Sequence, residues 1–112
     1  CAGAILLARE VSNPVQEALG VVDISVERNA YGRQLDSRIV RLKPENGSLG
    51  SDELEAVFIR APIIRRVGPD AHVLLRYNGD PVLVEQGKHM VATFHPELSE
   101  DDRIHRAFLD KL

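Results

Sequence analysis

The sequence predicts an α/β domain of about six short strands with a helix at each end. Three features indicate this class: central segments alternate apolar and polar residues, the last fourteen residues are amphipathic, and the first ten are rich in helix formers. Two terminal helices leave one sheet face poorly covered, so we expect further elements before residue 1. A length of 112 residues is enough for one domain and too short for two.

The first quarter of the chain mixes helix and strand patterns. Residues 1–10 predict a helix because Ala and Leu, which favour helices, occupy half of the positions. Residues 15–19 predict a short helical turn that Gly20 ends. Residues 21–28 alternate apolar and polar side chains and therefore predict a strand.

The middle of the chain predicts two strands around a loop. Residues 35–42 alternate again and predict the first of them. Residues 43–50 contain Pro, Asn and Gly and predict the loop. Residues 56–59 are apolar and predict a short buried strand that ends before Pro62.

The last third predicts three strands and a helix. Residues 71–77 and 82–85 are joined by the sequence NGDP, which is typical of a hairpin, and residues 89–94 predict one more strand. Residues 99–112 predict a helix with Ser99 as its N-cap and acidic residues in its first turn. Its apolar stripe consists of Ile104, Phe108, Leu109 and Leu112.

Composition excludes several classes of function. The formal net charge of −3 lacks the surplus of Lys and Arg that phosphate neutralisation needs, so we expect no nucleic-acid partner. No apolar run approaches the roughly 20 residues of a membrane helix, and nothing resembles a secretory signal. We therefore expect a cytoplasmic protein. His72, His89 and His105 show no ligand-like spacing, so we expect no metal site.

Cys1 is a candidate nucleophile. It is the single cysteine, so it cannot form an internal disulfide. A thiolate is far more nucleophilic than a thiol, and helix N-termini favour the thiolate. The position also fits a small buried residue. A chain that starts at Cys1 is either a processed polypeptide, whose α-amino group could act as a base, or a segment of a longer protein.

His95 and Glu97 form a candidate pair directly after a predicted strand, where open α/β sheets usually place functional groups. In an extended segment, residues two apart point to the same side, and Pro96 stiffens the link. A carboxylate beside an imidazole fixes its tautomer and stabilises the imidazolium. The pair also fits a surface His and Glu at a capped strand end. Together with Cys1, it completes a Cys-His-acid constellation.

Four stretches carry a resemblance to a known family. Residues 1–3 (CAG), followed by an aliphatic helix, and residues 94–98 (FHPEL) resemble the triad-type (class I) glutamine amidotransferases. Residues 26–37 (VERNAYGRQLDS) and 58–62 (FIRAP) resemble more specifically the glutaminase subunit of pyridoxal 5′-phosphate synthase. The similarity covers nearly the whole chain.

The resemblance implies a flavodoxin-like three-layer α/β fold, in which residues 1–112 would be the C-terminal portion of a single domain. N-terminal elements would then be missing from this chain, among them the strand before the nucleophile and a Gly-rich loop that helps form the oxyanion hole. The resemblance also implies hydrolysis of glutamine to glutamate and ammonia. Cys1 would be the nucleophile, His95 the proton shuttle and Glu97 the group that orients His95.

The resemblance implies a substrate site and a partner as well. Arg28, Ile59 and Arg60 would hold the glutamine, and no cofactor would be needed. Ammonia would pass to a synthase subunit in a hetero-oligomer that makes pyridoxal 5′-phosphate (vitamin B6). Without the resemblance, Arg28 and Arg60 would be interpreted as solvated surface charges and Ile59 as a core residue.

Three other functions fit part of the same pattern. The chain could serve another amidotransferase branch, in histidine, purine or aminobenzoate synthesis, although residues 27–37 argue against it. It could be an N-terminal-nucleophile hydrolase, although that class usually begins with Cys-Gly, whereas Ala2 follows Cys1 here. It could also be a degenerate docking module, although Cys1, His95 and Glu97 are all present.

Overall fold

The computed structural model of the protein describes residues 1–29, 37–45 and 49–112. These described residues contain two short α-helices, one 3₁₀ turn and eight strands. The helices are α1 (Ala2–Leu7) and α2 (Arg103–Leu109), and the 3₁₀ turn is Pro96–Leu98. Within the described residues, no helix is long and apolar enough to cross a membrane.

The strands form three small sheets. In the first, β1 (Ala8–Ser12) runs parallel to β2 (Val22–Glu27), and β5 (Ile63–Val67) pairs antiparallel with β2. The other two sheets are antiparallel throughout. They consist of β3 (Ser37–Leu42) with β4 (Leu54–Ile59), and of β6 (His72–Tyr77), β7 (Asp80–Gln86) and β8 (His89–Ala92).

The structure confirms most of the predicted strands. The strand predicted at residues 21–28 is β2, that at 56–59 is β4, and that at 89–94 is β8, with shifts of one or two residues at most ends. The strand predicted at 35–42 is β3 from residue 37 onward, and its first two positions lie outside the described residues. The predicted hairpin also forms. Its Asn78 and Gly79 have φ of 51° and 85°, as a turn of the type favoured between twisted strands requires.

The predicted N-terminal helix over residues 1–10 is wrong beyond Leu7. Residues 8–12 form β1 instead, with Ala8 and Val11 buried against the sheet. Pairing with β2 outweighs the helix propensity of these residues, because burial in a sheet contributes more than propensity does. The helical turn predicted at residues 15–19 is wrong too. The backbone N–H of Leu19 donates to Leu6 and that of Gly20 to Ala8, so this segment satisfies carbonyls at the end of α1.

Two further elements differ from the sequence prediction. Strand β5 was not predicted, because its two arginines interrupt the apolar pattern. The C-terminal helix begins at Arg103 rather than at residue 99, and Asp102 is its N-cap. Ser99 Oγ instead accepts a hydrogen bond from the backbone N–H of Asp101, so it caps a turn that precedes the helix.

Two hydrophobic clusters both include residues of the third sheet. One joins α1 and the first sheet to β7 and β8, and the other joins the β3–β4 pair to β6, β7 and α2. The fully buried side chains that are largest in volume come from both clusters, and they are Phe94, Ile24, Leu54, Ile64, Leu74, Leu75 and Leu83. The core is therefore mainly aliphatic.

A charged cluster lies on the first sheet around Asp23, which is only 7% exposed. Arg66 Nη2 donates to Asp23 Oδ1 at 2.8 Å, and Arg9 Nη1 lies 3.6 Å from the same oxygen. The hydrogen bond from Arg66 is the main reason that the pKa of Asp23 lies below its usual range. Gly68 donates its N–H to the Asp23 carbonyl, and a Cβ at Gly68 would lie 1.8 Å from Asp23 Oδ2. The cluster therefore requires glycine at position 68.

We expect stability to fall in acid through Asp23. Its pKa is lower in the folded state than in the unfolded chain, so its stabilisation is complete above the ordinary carboxyl range and is lost as the pH falls through the lowered pKa. Asp23→Asn should remove this part of the pH dependence. Urea unfolding across the acid range measures it, with exposed Asp70→Asn as the matched control. An acid profile that Asp23→Asn leaves unchanged would contradict the assignment.

Arg103 anchors the start of α2 to the loop before β4. Its guanidinium donates to the backbone carbonyls of Leu49, Asp52 and Glu53 at 3.2, 2.9 and 2.7 Å. It also forms a two-point contact with the Asp101 carboxylate, at 3.0 and 2.7 Å to Oδ2. The planar guanidinium of arginine carries several N–H donors and can make all of these contacts at once, whereas the ammonium group of lysine cannot.

Arg103→Lys should destabilise the protein by about 2 kcal/mol, because several charge-assisted hydrogen bonds are lost together, including the half-buried ones to Leu49 and Asp101. Arg106→Lys is the matched control, since Arg106 forms an ion pair with the exposed Asp102 one turn away, and its replacement should change stability by about 0.5 kcal/mol or less. Thermal and urea unfolding of both variants give the comparison. Equal effects for the two variants would show that Arg103 is an ordinary surface charge.

Candidate active site

Cys1 is the N-cap residue of α1 and is half-buried. Its backbone nitrogen donates to the carbonyl of Ala92, the last residue of β8, at 2.7 Å. Its Sγ lies 3.9 Å from the carbonyl oxygen of Arg60, just beyond the end of β4. Backbone groups from two different sheets therefore fix the position of the thiol.

His95 lies three residues after β8, and its backbone N–H donates to the Val57 carbonyl in β4 at 2.8 Å. Phe94, which is 1% exposed, anchors the same segment because its ring packs against Phe58 with 5.6 Å between centroids. The segment from Pro96 is a 3₁₀ turn rather than the extended link that the sequence predicted. This turn brings Glu97 back towards the imidazole.

His95 Nδ1 and Glu97 Oε2 lie 2.9 Å apart. The hydrogen bond to His95 is the main reason that the pKa of Glu97 lies below its usual range, so Glu97 is ionised at neutral pH. An ionised carboxylate only accepts hydrogen bonds, so Nδ1 carries the proton and donates it. His95 Nε2 is then the ring nitrogen that can accept a proton.

Cys1, His95 and Glu97 line one open cleft of ≈ 350 Å³ between α1 and β8. Its other described lining residues are uncharged and mostly apolar, and they are Ala2, Gly3, Ala4, Leu7, Met90, Val91, Ala92, Phe94 and Pro96. The structure thus brings together a thiol and an oriented imidazole that are more than 90 residues apart in sequence. Such an arrangement can carry out nucleophilic attack on a carbonyl carbon, with the imidazole moving the proton.

Comparison with known proteins identifies the family. The model of the SNO glutamine amidotransferase family matches residues 1–112. The chain belongs to this family.

Curated members of the SNO family give the same result. The chain is 61% identical over 116 residues to "Pyridoxal 5′-phosphate synthase subunit PdxT" of Solibacter usitatus, covering 100% of this chain and 60% of that protein. It is 51% identical to the protein of the same name from Thermotoga maritima, covering 98% of this chain and 57% of that protein. The chain thus spans a little over half the length of the relatives that it matches.

A solved structure gives the fold. The chain resembles a crystal structure of a glutamine amidotransferase with a TM-score of 0.87 and 51% identity, over 99% of this chain and 57% of that one. The α/β glutamine amidotransferase fold expected from the sequence is therefore confirmed for the part that the chain represents. The family resemblance carried by residues 1–3, 26–37, 58–62 and 94–98 is confirmed as well.

The three residues expected to hold substrate occupy different places. Arg60 is closest to Cys1, through its backbone carbonyl, and Ile59 precedes it at the end of β4 with 39% of its surface exposed. Arg28 follows β2, and its Nη1 donates to Gln16 Oε1. None of these three residues is among those that line the cleft beside Cys1. Their roles in binding stay predictions.

Sequence reasoning missed the backbone groups that position the site. The carbonyls of Val57, Arg60 and Ala92 hold His95 and Cys1 in position. The pattern of side chains in the sequence does not indicate these backbone contacts. Arg60 has φ of 47°, which costs a non-glycine residue about 1 kcal/mol or more, and only the structure reveals it. Among the described residues, no group of three or more His, Cys, Asp and Glu side chains is placed to hold a metal ion.

We expect His95→Ala to raise the pKa of Glu97 towards its ordinary range, because the hydrogen bond that stabilises the carboxylate is lost. The wild-type stabilisation from this pair is present above the ordinary carboxyl range and is lost as the pH falls through the lowered pKa. Carbon-13 NMR of the Glu97 carboxyl measures the titration, with His72→Ala as a control outside the cleft. An identical titration in wild type and His95→Ala would contradict the pairing.

Proposed function

We propose that the protein hydrolyses glutamine to glutamate and ammonia, with Cys1, His95 and Glu97 as its catalytic residues. The observation that carries the proposal is the shared cleft, in which the thiol of Cys1 lies with an imidazole that Glu97 holds at 2.9 Å. Membership of the SNO glutamine amidotransferase family supports the choice of glutamine as substrate.

In the first step, His95 Nε2 accepts the proton of the Cys1 thiol, and the sulfur attacks the side-chain amide carbon of glutamine. A tetrahedral intermediate forms, and the imidazolium returns its proton to the amide nitrogen. The C–N bond then breaks, ammonia leaves, and a glutamyl thioester on Cys1 remains. The Glu97 carboxylate stabilises the imidazolium while it exists.

In the second step, His95 Nε2 takes a proton from water, which attacks the thioester carbon. The C–S bond breaks, glutamate leaves, and the sulfur of Cys1 recovers its proton from the imidazolium. Both steps use the same ring nitrogen, because Nδ1 remains bonded to Glu97. No metal or organic cofactor takes part in this scheme.

For substrate binding, we infer roles for Arg28, Ile59 and Arg60. The guanidinium groups can each bind a carboxylate through two parallel hydrogen bonds, which suits the α-carboxylate of glutamine. The position of Ile59 and Arg60 at the end of β4, next to Cys1, supports their part in the site. Arg28 would have to exchange its contact with Gln16 for one with the substrate.

We further infer that the ammonia is used by a pyridoxal 5′-phosphate synthase subunit in a hetero-oligomer, in the cytoplasm. The support is the shared name of the relatives, each described as a subunit of that synthase. A role in another amidotransferase branch has less support, because those relatives match the chain at 51% to 61% identity over nearly its full length.

The alternative of an N-terminal-nucleophile hydrolase has less support. That class uses a free α-amino group as a base, whereas the SNO glutamine amidotransferase family model matches residues 1–112 of this chain. The oriented His95 supplies the base instead.

The test is release of glutamate from glutamine by the full-length protein, measured with and without its synthase partner. We expect release that depends on the partner. Cys1→Ala should abolish it, and His95→Asn should lower kcat by about 100-fold or more, because general acid–base catalysis is lost. His89→Ala, an exposed residue outside the cleft, is the matched control and should keep wild-type rates.

Each outcome decides between the alternatives. Release that Cys1→Ala leaves unchanged would remove Cys1 from the mechanism. Release that increases with a different synthase and not with the pyridoxal 5′-phosphate enzyme would assign the protein to another amidotransferase branch. No release under any of these conditions would favour the docking module.

A further inference from the structure

The backbone at Arg60 has an unusual conformation for its residue type. Its φ of 47° lies in the left-handed region, which long side chains rarely adopt. β4 ends at Ile59, and β5 begins at Ile63 in a different sheet, so the chain turns between two sheets within three residues. Ala61 and Pro62 are buried, which fixes where the turn occurs. The surroundings therefore hold Arg60 in this conformation.

The turn directs the Arg60 carbonyl at the nucleophile. Its oxygen lies 3.9 Å from Cys1 Sγ, within the range of a weak S–H···O contact. Only the protonated thiol can donate to a carbonyl. A thiolate at the same position would face the negative end of the carbonyl dipole and would be destabilised. The contact therefore favours the thiol form of Cys1.

The other charged groups near Cys1 are few among the described residues. His95 and Glu97 line the same cleft, and the remaining lining residues carry no charge. The Glu97 carboxylate also disfavours a thiolate, whereas a protonated His95 would favour it. The guanidinium of Arg60, on an exposed residue, would favour the thiolate too, so its backbone and its side chain act in opposite directions.

We propose that Arg60 is a positioning residue: its left-handed backbone holds its carbonyl against Cys1 and keeps the resting nucleophile as a protonated thiol. The thiol proton passes to His95 Nε2 only when substrate occupies the cleft. The last part of this inference rests on the proposed glutaminase function, whereas the contact itself does not. The role belongs to the backbone and is separate from any contact of the Arg60 side chain with glutamine.

Two substitutions at position 60 separate the effect of the backbone conformation from the effect of the side chain. Arg60→Gly and Arg60→Val both remove the guanidinium, but glycine adopts positive φ freely and valine does so only with strain. The measurement is the rate of Cys1 alkylation by iodoacetamide as a function of pH, in the full-length protein. We expect Arg60→Val to react about threefold to tenfold faster than Arg60→Gly at neutral pH, because its thiol pKa is lower by up to about one unit.

Kinetics with glutamine provide the second readout. KM should rise in both variants, because both lose the guanidinium, whereas kcat should be lower in Arg60→Val than in Arg60→Gly. Coinciding alkylation profiles for two folded variants would overturn the proposal. If the two variants differ in alkylation rate as expected but the wild type releases no glutamate, the proposed function fails while the contact between Arg60 and Cys1 stands.

Infrared spectroscopy tests the contact without relying on a variant at Arg60, in case Arg60→Val does not fold. The S–H stretch of Cys1 is obtained as the difference between wild type and Cys1→Ala. We expect a band at lower wavenumber than in the urea-unfolded protein, because donation to a carbonyl weakens the S–H bond. A band at the unfolded position, or no S–H band because Cys1 is already ionised, would overturn the proposal.

Discussion

The hydrogen bond from the His95 N–H to the Val57 carbonyl is the contact on which the site depends. It joins the segment after β8 to β4, which belongs to a different sheet. Without it, the 3₁₀ turn that carries Glu97 would have no fixed relation to the strand that ends beside Cys1. Phe94 and Phe58 pack against each other on the same two segments, so a buried ring contact supports the hydrogen bond.

Arginine serves three different purposes in this chain. Arg103 satisfies backbone carbonyls of a loop, Arg66 neutralises the nearly buried Asp23, and Arg60 acts through its peptide group. A sequence shows only that a position is basic. Which purpose applies depends on what the fold places within about 3 Å of the guanidinium, and on the backbone conformation of the residue.

The sequence predicts the candidate site of this protein better than its architecture. Cys1, His95 and Glu97 stand in short motifs that predict a catalytic role, and the structure places all three in one cleft. Local patterns also predicted β2, β4 and the hairpin. They could not predict β1 or β5, because Ala8 and Ile63 join a sheet only through pairing with β2, which lies far from Ile63 in sequence. The left-handed φ of Arg60 arises where the chain passes from one sheet to another, and no local sequence pattern predicts it.

The contacts of Arg103 also bear on the order in which the molecule assembles. Its bonds to Leu49, Asp52 and Glu53 join residues separated by 54, 51 and 50 positions in the sequence. Closing a loop of that length costs chain entropy that only a formed binding surface can offset. These three carbonyls lie in the segment just before β4, so we expect docking of α2 to follow the pairing of β4 with β3. The contacts of Arg103 should therefore form late in folding rather than at its start.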